Sequence, residues 1–382
     1  MYWVIIFALA GASPLPYSIG VMLLFAGVAY FIYRIGDLFG GRTAGLVSGI
    51  LVALYFPIYS VAWSRWSSSL QMELFFLSAA MFFLLRWSKA ELECGQRAKA
   101  PVLGIVLLVC AFLSKETSLL APLLLPLYAW KRRVIGMAAA LFGAGVVLFI
   151  TARALIPCKF PLPGPSLDVA QAFSNLEFYL RHQFLFYLPP SLVLLGALSR
   201  GHRNRYVWLT LGMVLFLVMN LAIGYTDTTH RVKLAVSMAA IVYAFVKGQS
   251  GMRFSLGWAA LLLMPPLSMH DTTIHQTSES FLGFSLFLGI GVARQLRLFG
   301  RMFRRLILNG PPRFPVGNLF AARRTGTVSE ELGLAVRSVG ASASVLIAAY
   351  AVFSIISLNV RLGSDEAHRM AVSYTHLRAH ET

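Results

Sequence analysis

Two short polar clusters, Trp63-Ser64-Arg65-Trp66 and Ser114-Lys115-Glu116, stand at the ends of long apolar runs within residues 55–130. A cation in such a place is costly unless it is paired or wet, which makes Lys115 and Arg65 site candidates. Lys115 could neutralise a phosphate as a compact point charge touching its oxygens. The plainer alternative is a pair with Glu116, or a stem that snorkels to the interface. Arg65 between two tryptophans suits an interface anchor as well as a phosphate or sugar clamp. Glu116 fits an acid opening the next helix, where the helix dipole favours it, better than a general base. Glu73 lies one turn into the following apolar run and needs a partner. Arg65, eight residues earlier, is the expected one, in a structural ion pair.

Three further groups carry chemistry-bearing types. Arg231, in TDTTHRVKLAVSMAAIVYAF, opens an apolar run; it could contact a phosphate or be a plain end-of-helix cation, with Asp227 and His230 as loop neighbours. His270, Asp271, His275 and Glu279 combine imidazole and carboxylate, the ligand types of divalent ions. No cysteine and no HExxH spacing supports a metal there, and a solvated loop is the expected reading. No metal site or cofactor is expected, with a divalent ion left open. Cys94, Cys110 and Cys158 fall in a loop, an apolar run and another loop, so no disulfide is suggested.

The elements that must position these residues are helices in a bilayer. A mean hydropathy of +0.71, with 58% hydrophobic and 13% charged residues, excludes an ordinary soluble domain. The alternation of barrel strands is missing, so the fold class is all-α and polytopic. The net charge of +18 could point to nucleic acid, but its distribution points elsewhere. Arg34 and Arg42, then Arg86, Lys89, Arg97 and Lys99, then Lys131, Arg132 and Arg133, and the arginines from Arg294 to Arg337 all gather on one side of the apolar runs. That side is cytoplasmic by the positive-inside rule, and the two clusters fall on the other, outer side. The expected location is therefore an integral membrane protein of a bacterial inner membrane, without a nucleic-acid partner.

About twelve transmembrane helices are expected, over residues 18–34, 43–59, 70–87, 101–114, 117–130, 134–152, 184–198, 206–225, 232–246, 254–269, 281–296 and 341–359. The fourth and fifth form a hairpin with SKE at its tip, and Pro122 and Pro126 should kink the descending arm. An outer loop over 153–183 ends in an amphipathic stretch, NLEFYLRHQFLFYL. Residues 1–296 make the core, 297–340 a basic cytoplasmic arm, and 341–371 a last helix and outer tail. Residues 372–382, VSYTHLRAHET, resemble the translation of a sequencing-library adapter, so His376 and His380 are given no role.

The run SIGVMLLFAGVAYFIYRIGDLFGGRTAGLVSGILVALYFPIYSVAWSRWSSSLQMELFFLSAAMFFLLR, followed by LSKETSLLAPLLLPLYAW, resembles the core of the GT-C membrane glycosyltransferases, within them the protein O-mannosyltransferase group and related bacterial enzymes. Phe56-Pro57, Trp63 to Arg65 and Ser114 to Glu116 stand where that family has a span-ending dipeptide, a Trp/Ser/Arg segment and the SKE hairpin. The resemblance covers about residues 1–250 and rests on order and spacing more than on any one motif. It implies a donor sugar on a polyprenyl phosphate and inverting transfer to an acceptor on the outer face. It implies donor-phosphate contacts from Lys115, Arg231 and Arg65, in a cavity lined by Trp63, Trp66, Ser114 and Glu116. Arg231 departs from the family pattern in lacking the proline-containing helix after it. The family's catalytic carboxylate lies in the first outer loop, and no acid precedes Asp37, so the expectation is an inactive fragment whose catalytic acid lies upstream of Met1. A flippase of lipid-linked oligosaccharides or another transporter, and a non-catalytic membrane scaffold, are the alternatives.

Overall fold

The computed structural model describes residues 14–54, 68–93, 101–155, 168–184, 242, 245–246, 248–267 and 278–309. The regular elements among these residues are helical. The first two, α1 (Pro14–Gly40) and α2 (Arg42–Leu54), are joined only by Gly41, whose φ of +79° lies in the left-handed region that glycine adopts without penalty. The GDLFGGR stretch is thus mostly helix, and the loop expected there reduces to one residue.

The two helices run back antiparallel at close range because small residues face each other. A Cβ on Gly45 would meet the Tyr33 carbonyl oxygen at 2.5 Å, and one on Gly36 would meet the Gly45 Cα at 2.9 Å. Small residues permit such approach where helices pack by van der Waals contact, without a hydrophobic drive between them.

The next helix, α3 (Ser68–Glu93), is the centre of the bundle. Burial covers 67% of its most apolar window, compared with 17% in α1 and 22% in the later helix α6 (Arg132–Leu155). Leu74, Leu77, Ala80, Met81, Leu84 and Leu85 of α3 form the core with Val28 and Ile32 of α1. Phe31 meets Phe75 edge-on at 5.8 Å and Phe82 at 6.0 Å. α1 and α6 instead expose Leu15, Ile19, Leu23, Val147, Ile150 and Leu155. Apolar surface of that extent on long apolar helices is what a bilayer would cover.

A hairpin packs on α3. Its first arm is α4 (Val102–Ser114), which ends where Lys115 turns extended at φ −163°, ψ 142°. The return arm is a 3-10 helix, Glu116–Leu124, and a single turn, α5 (Leu125–Tyr128). Pro122 lies inside the 3-10 segment and Pro126 in α5, and neither can donate the N–H that an α-helical ladder requires. The prolines therefore act as tightened winding where a kinked α-helix was expected. At about 2.0 Å per residue the 3-10 segment covers roughly 18 Å in nine residues.

Four more described helices follow: α7 (Val169–Phe184), α8 (Ser250–Leu261), α9 (Met264–Leu267) and α10 (Ser278–Asn309). In α7 Tyr179 is buried, and desolvation pushes its phenol up to about 12; Asn175 Nδ2 donates to the Leu267 carbonyl at 3.0 Å. α10 crosses the core, burying Phe281, Phe284 and Phe287 against α8 and α2. A Cβ on Gly283 would strike Ser255 O of α8 at 2.6 Å, and one on Gly289 would collide with Ser48 Oγ of α2.

The expectation of about twelve transmembrane helices is overturned. Among the described residues three helices are long and apolar enough to cross a bilayer: Leu15–Gly40, Ser69–Glu93 and Arg132–Ala152, with Arg42–Leu54 and Val102–Ser114 as shorter apolar helices. Run length in the sequence does not distinguish one straight helix from several pieces. Residues 117–130 are 3-10 and a single turn, and 254–269 breaks between α8 and α9. Residues 281–296 belong to a 32-residue helix that continues to Asn309 into the expected basic arm. The runs expected over 206–225 and 341–359, and nearly all of 184–198 and 232–246, lie outside the described residues. What stands, among the described residues, is an all-α arrangement with several long apolar helices, as a membrane protein has.

Candidate functional site

Lys115 is placed by the end of a helix. Ser114 Oγ donates to the Cys110 carbonyl at 2.8 Å, the Lys115 N–H to Ala111 O at 3.1 Å, and the chain then leaves the α conformation. Ser118 Oγ donates to the Lys115 carbonyl at 2.7 Å, which closes the tip of the hairpin. The ammonium emerges towards two other elements, the second turn of α3 and the first turn of α10.

Each of those turns supplies one carboxylate. Lys115 Nζ lies 2.5 Å from Glu279 Oε1 and 3.8 Å from Glu73 Oε2. Thr117 Oγ1 lies 2.5 Å from Glu73 Oε1 and 3.2 Å from Glu279 Oε1. With a single hydroxyl proton it donates to one carboxylate at a time, so it bridges the two. Both glutamates are fully buried, whereas the Lys115 side chain keeps 23% of its exposure. Trp258 Nε1 donates to the Glu279 carbonyl at 3.0 Å and Ser280 Oγ to Ala259 O at 2.6 Å, so α8 pins the start of α10.

The chemistry of the cluster follows from what remains unsatisfied. Glu73 Oε2 and Glu279 Oε2 have no hydrogen-bond partner among the described residues. The ammonium has three N–H donors, of which Glu279 takes one, and Glu73 at 3.8 Å interacts as a charge without a good hydrogen bond. Lys115 is thus fixed from the buried side, and among the described residues its ammonium, on a side chain 23% exposed, makes no further hydrogen bond. An anionic oxygen could be held there, while the sealed glutamates cannot touch an acceptor in this arrangement.

The residues singled out in the sequence divide clearly. Ser114 and Lys115 are half-buried at the tip, and Glu116 is exposed in the first turn of the 3-10 helix. Lys115 pairs with Glu279 and Glu73, where Glu116 was the plain alternative. Glu73 is held by Thr117 and Lys115, where Arg65 was expected. Glu279 is buried, which corrects its assignment to a solvated loop: α10 begins at Ser278 and the turn packs under α8. Trp63, Arg65, Trp66, Asp227, His230, Arg231, His270, Asp271 and His275 lie outside the described residues. Among the described residues no group of three His, Cys, Asp or Glu could hold a metal.

Thr117 and the pairing of Glu279 with Lys115 escaped the sequence reading. A signal was present: Glu73, Lys115 and Glu279 each stand at the same side of an apolar run, with opposite signs of charge, and a buried acid needs a cation.

The opposite ends of the same elements form a second, basic end. Lys131 donates to the Glu91 carbonyl and Arg133 pairs with the Glu91 carboxylate. Glu73 and Glu91 are separated on α3 by about 27 Å, so the hairpin from Lys115 to Lys131 runs the length between the two ends. No family model, curated protein or solved structure matches the chain.

Proposed function

We propose that the chain belongs to a GT-C-type integral-membrane glycosyltransferase and that the Lys115 cluster holds the phosphate of a polyprenyl-phosphate-linked sugar. The observation that carries this reading is a partly exposed lysine at the tip of an apolar hairpin, anchored from behind by two buried glutamates. The order of the motifs around it supplies the substrate class. The bond from the anomeric carbon to the phosphate oxygen breaks as the acceptor oxygen bonds to that carbon. The electron pair stays on the phosphate, whose growing charge Lys115 offsets. In the family the acceptor's proton goes to a carboxylate of the first outer loop, a role that Glu73 and Glu279 do not take here. Arg231 and Arg65 would supply further phosphate contacts, with Trp63, Trp66, Ser114 and Glu116 as lining. The working face is outward, in a bacterial inner membrane, and the sugar and acceptor are left open.

The test is transfer from a polyprenyl-phosphate sugar by the full-length gene product in proteoliposomes. Lys115→Ala is expected to lower kcat/KM by about a hundredfold or more, in line with loss of a charge-stabilising donor. A variant with full activity would remove Lys115 from the site.

A second reading, a flippase or other ion-coupled transporter, is favoured by the two buried carboxylates with unsatisfied oxygens, since intramembrane acids carry protons in many transporters. Proton uptake on addition of the lipid-linked sugar, without turnover, would select it.

A further inference from the structure

The buried cluster around Lys115 holds two acids and one base. Glu73 and Glu279 are both sealed from solvent, and Lys115 is the cation that both approach. Leu74 follows Glu73 on α3 with Leu70 and Leu77 about a turn to either side, and Phe281 and Leu282 lie just past Glu279 on α10, all of them in the core. In such apolar surroundings two carboxylates against one ammonium leave a negative charge without a counterion, which is costlier than any buried neutral polar group. Among the described residues the charged groups acting on Glu73 are Lys115 and Glu279, and Lys115 in turn feels the exposed Glu116 beside it. Trp258 of α8 supplies its Nε1–H to the Glu279 carbonyl and adds no charge.

The hydrogen bonds are short of a donor in the same way. Glu279 Oε1 takes the ammonium at 2.5 Å and Glu73 Oε1 the Thr117 hydroxyl at 2.5 Å, while Oε2 of each glutamate is buried with no partner among the described residues. The two carboxyl groups are hydrogen-bond neighbours of each other. Ionised carboxylates are acceptors only, so that contact needs a proton. Its place follows from the geometry. Glu279 has the close contact with the ammonium and stands in the first turn of α10, where the helix dipole favours a negative charge. Glu73, in the second turn of α3, is 3.8 Å from the ammonium.

We propose that Glu73 and Glu279 hold one resident proton between them, carried on Glu73, which makes the cluster neutral as a whole and leaves Lys115 charged. The pair is then an acid and a carboxylate sharing one site, and it takes up and gives off that proton as a unit. The proton serves the tip of the hairpin. An anion arriving at the partly exposed ammonium meets a neutral cluster, where two ionised glutamates would present it with a net negative one. The proton is bound whether or not a sugar is transferred or a lipid moved, so it requires neither the transferase nor the transporter.

Infrared spectroscopy of the full chain in detergent at neutral pH tests this, because the C=O stretch of a carboxylic acid is separate from the carboxylate bands and exposed glutamates are ionised there. The wild-type chain is expected to show an acid band that shifts when the glutamate carboxyl carbons are isotopically labelled. Glu73→Gln and Glu279→Gln should each remove it, since either change leaves one carboxylate matched to one ammonium. Lys115→Met should raise it about twofold, because both acids must then be neutral. No acid band in the wild-type chain, a band that ignores the glutamate label, or one kept in either glutamine variant would overturn the proposal. So would loss of the band when sodium replaces potassium at equal ionic strength, which would assign the charge to a metal ion. Should a variant fail to fold, the labelled wild-type chain and the sodium exchange still decide.

Discussion

Lys115 shows how a single charge can be both structural and available. Burial of an ion pair gives no automatic stability, because desolvation offsets the Coulomb gain; breaking it by removing one partner is what costs. Lys115→Met would leave Glu73 and Glu279 without a cation in the core and should lower stability by about 3–5 kcal/mol. Glu279→Gln removes the carboxylate that accepts the ammonium's hydrogen bond. The double variant Lys115→Met, Glu279→Gln is expected to be less destabilised than the sum of the two single changes by roughly 1 kcal/mol or more. Denaturant unfolding in detergent would measure the cycle, and simple additivity would mean that the pair does not couple. The residue types of this cluster were readable in the sequence, and Lys115 stood out from its place at the tip of a hairpin. Its partners did not stand out, because they lie 42 residues before it and 164 after it, and nothing local distinguishes a buried glutamate from a solvated one.

At the scale of elements, close helix approach depends on a few positions with no side chain. Gly45 is one, since any Cβ would meet the Tyr33 carbonyl. Gly45→Val should separate α1 from α2 and lower stability by about 3 kcal/mol, the upper range for forcing atoms into a packed contact. At Gly143, inside α6, an added Cβ would meet nothing within 4 Å, so Gly143→Ala should raise stability by up to about 1 kcal/mol through helix propensity alone. Thermal unfolding of both variants in one detergent would check the contrast, and equal effects would contradict the α1–α2 contact. The expected spans 18–34, 70–87 and 134–152 fall inside the longer helices α1, α3 and α6, and 43–59 and 101–114 overlap the shorter apolar helices α2 and α4, since apolar length is a local property. The span expected over 117–130 differed because proline changes the winding of a segment without changing its hydropathy.

For the whole molecule, the two ends have opposite character: Glu73, Lys115 and Glu279 at one, and Arg34, Arg42, Lys131, Arg133 and Arg297 at the other. We propose, on the positive-inside rule, that the basic end faces the cytoplasm. In a background with Cys94, Cys110 and Cys158 replaced, Glu116→Cys should react with a membrane-impermeant maleimide added outside intact cells. Arg132→Cys should react only after permeabilisation. The reverse pattern would place the Lys115 cluster in the cytoplasm and remove an outward-facing transfer reaction.

Composition alone pointed to a helical chain with several long apolar helices, as a membrane protein has, and the charge pattern to one polar and one basic end, because hydropathy and charge are sums over residues that need no partner. They also marked Lys115, as a cation that apolar surroundings would not tolerate alone. Only the tertiary structure decided which acids answer it, that Glu279 is buried beneath Trp258, and that Arg297 ties α10 to the end of α1. Those are facts of contact between segments far apart in the chain, and contact is set by packing, which no local pattern encodes.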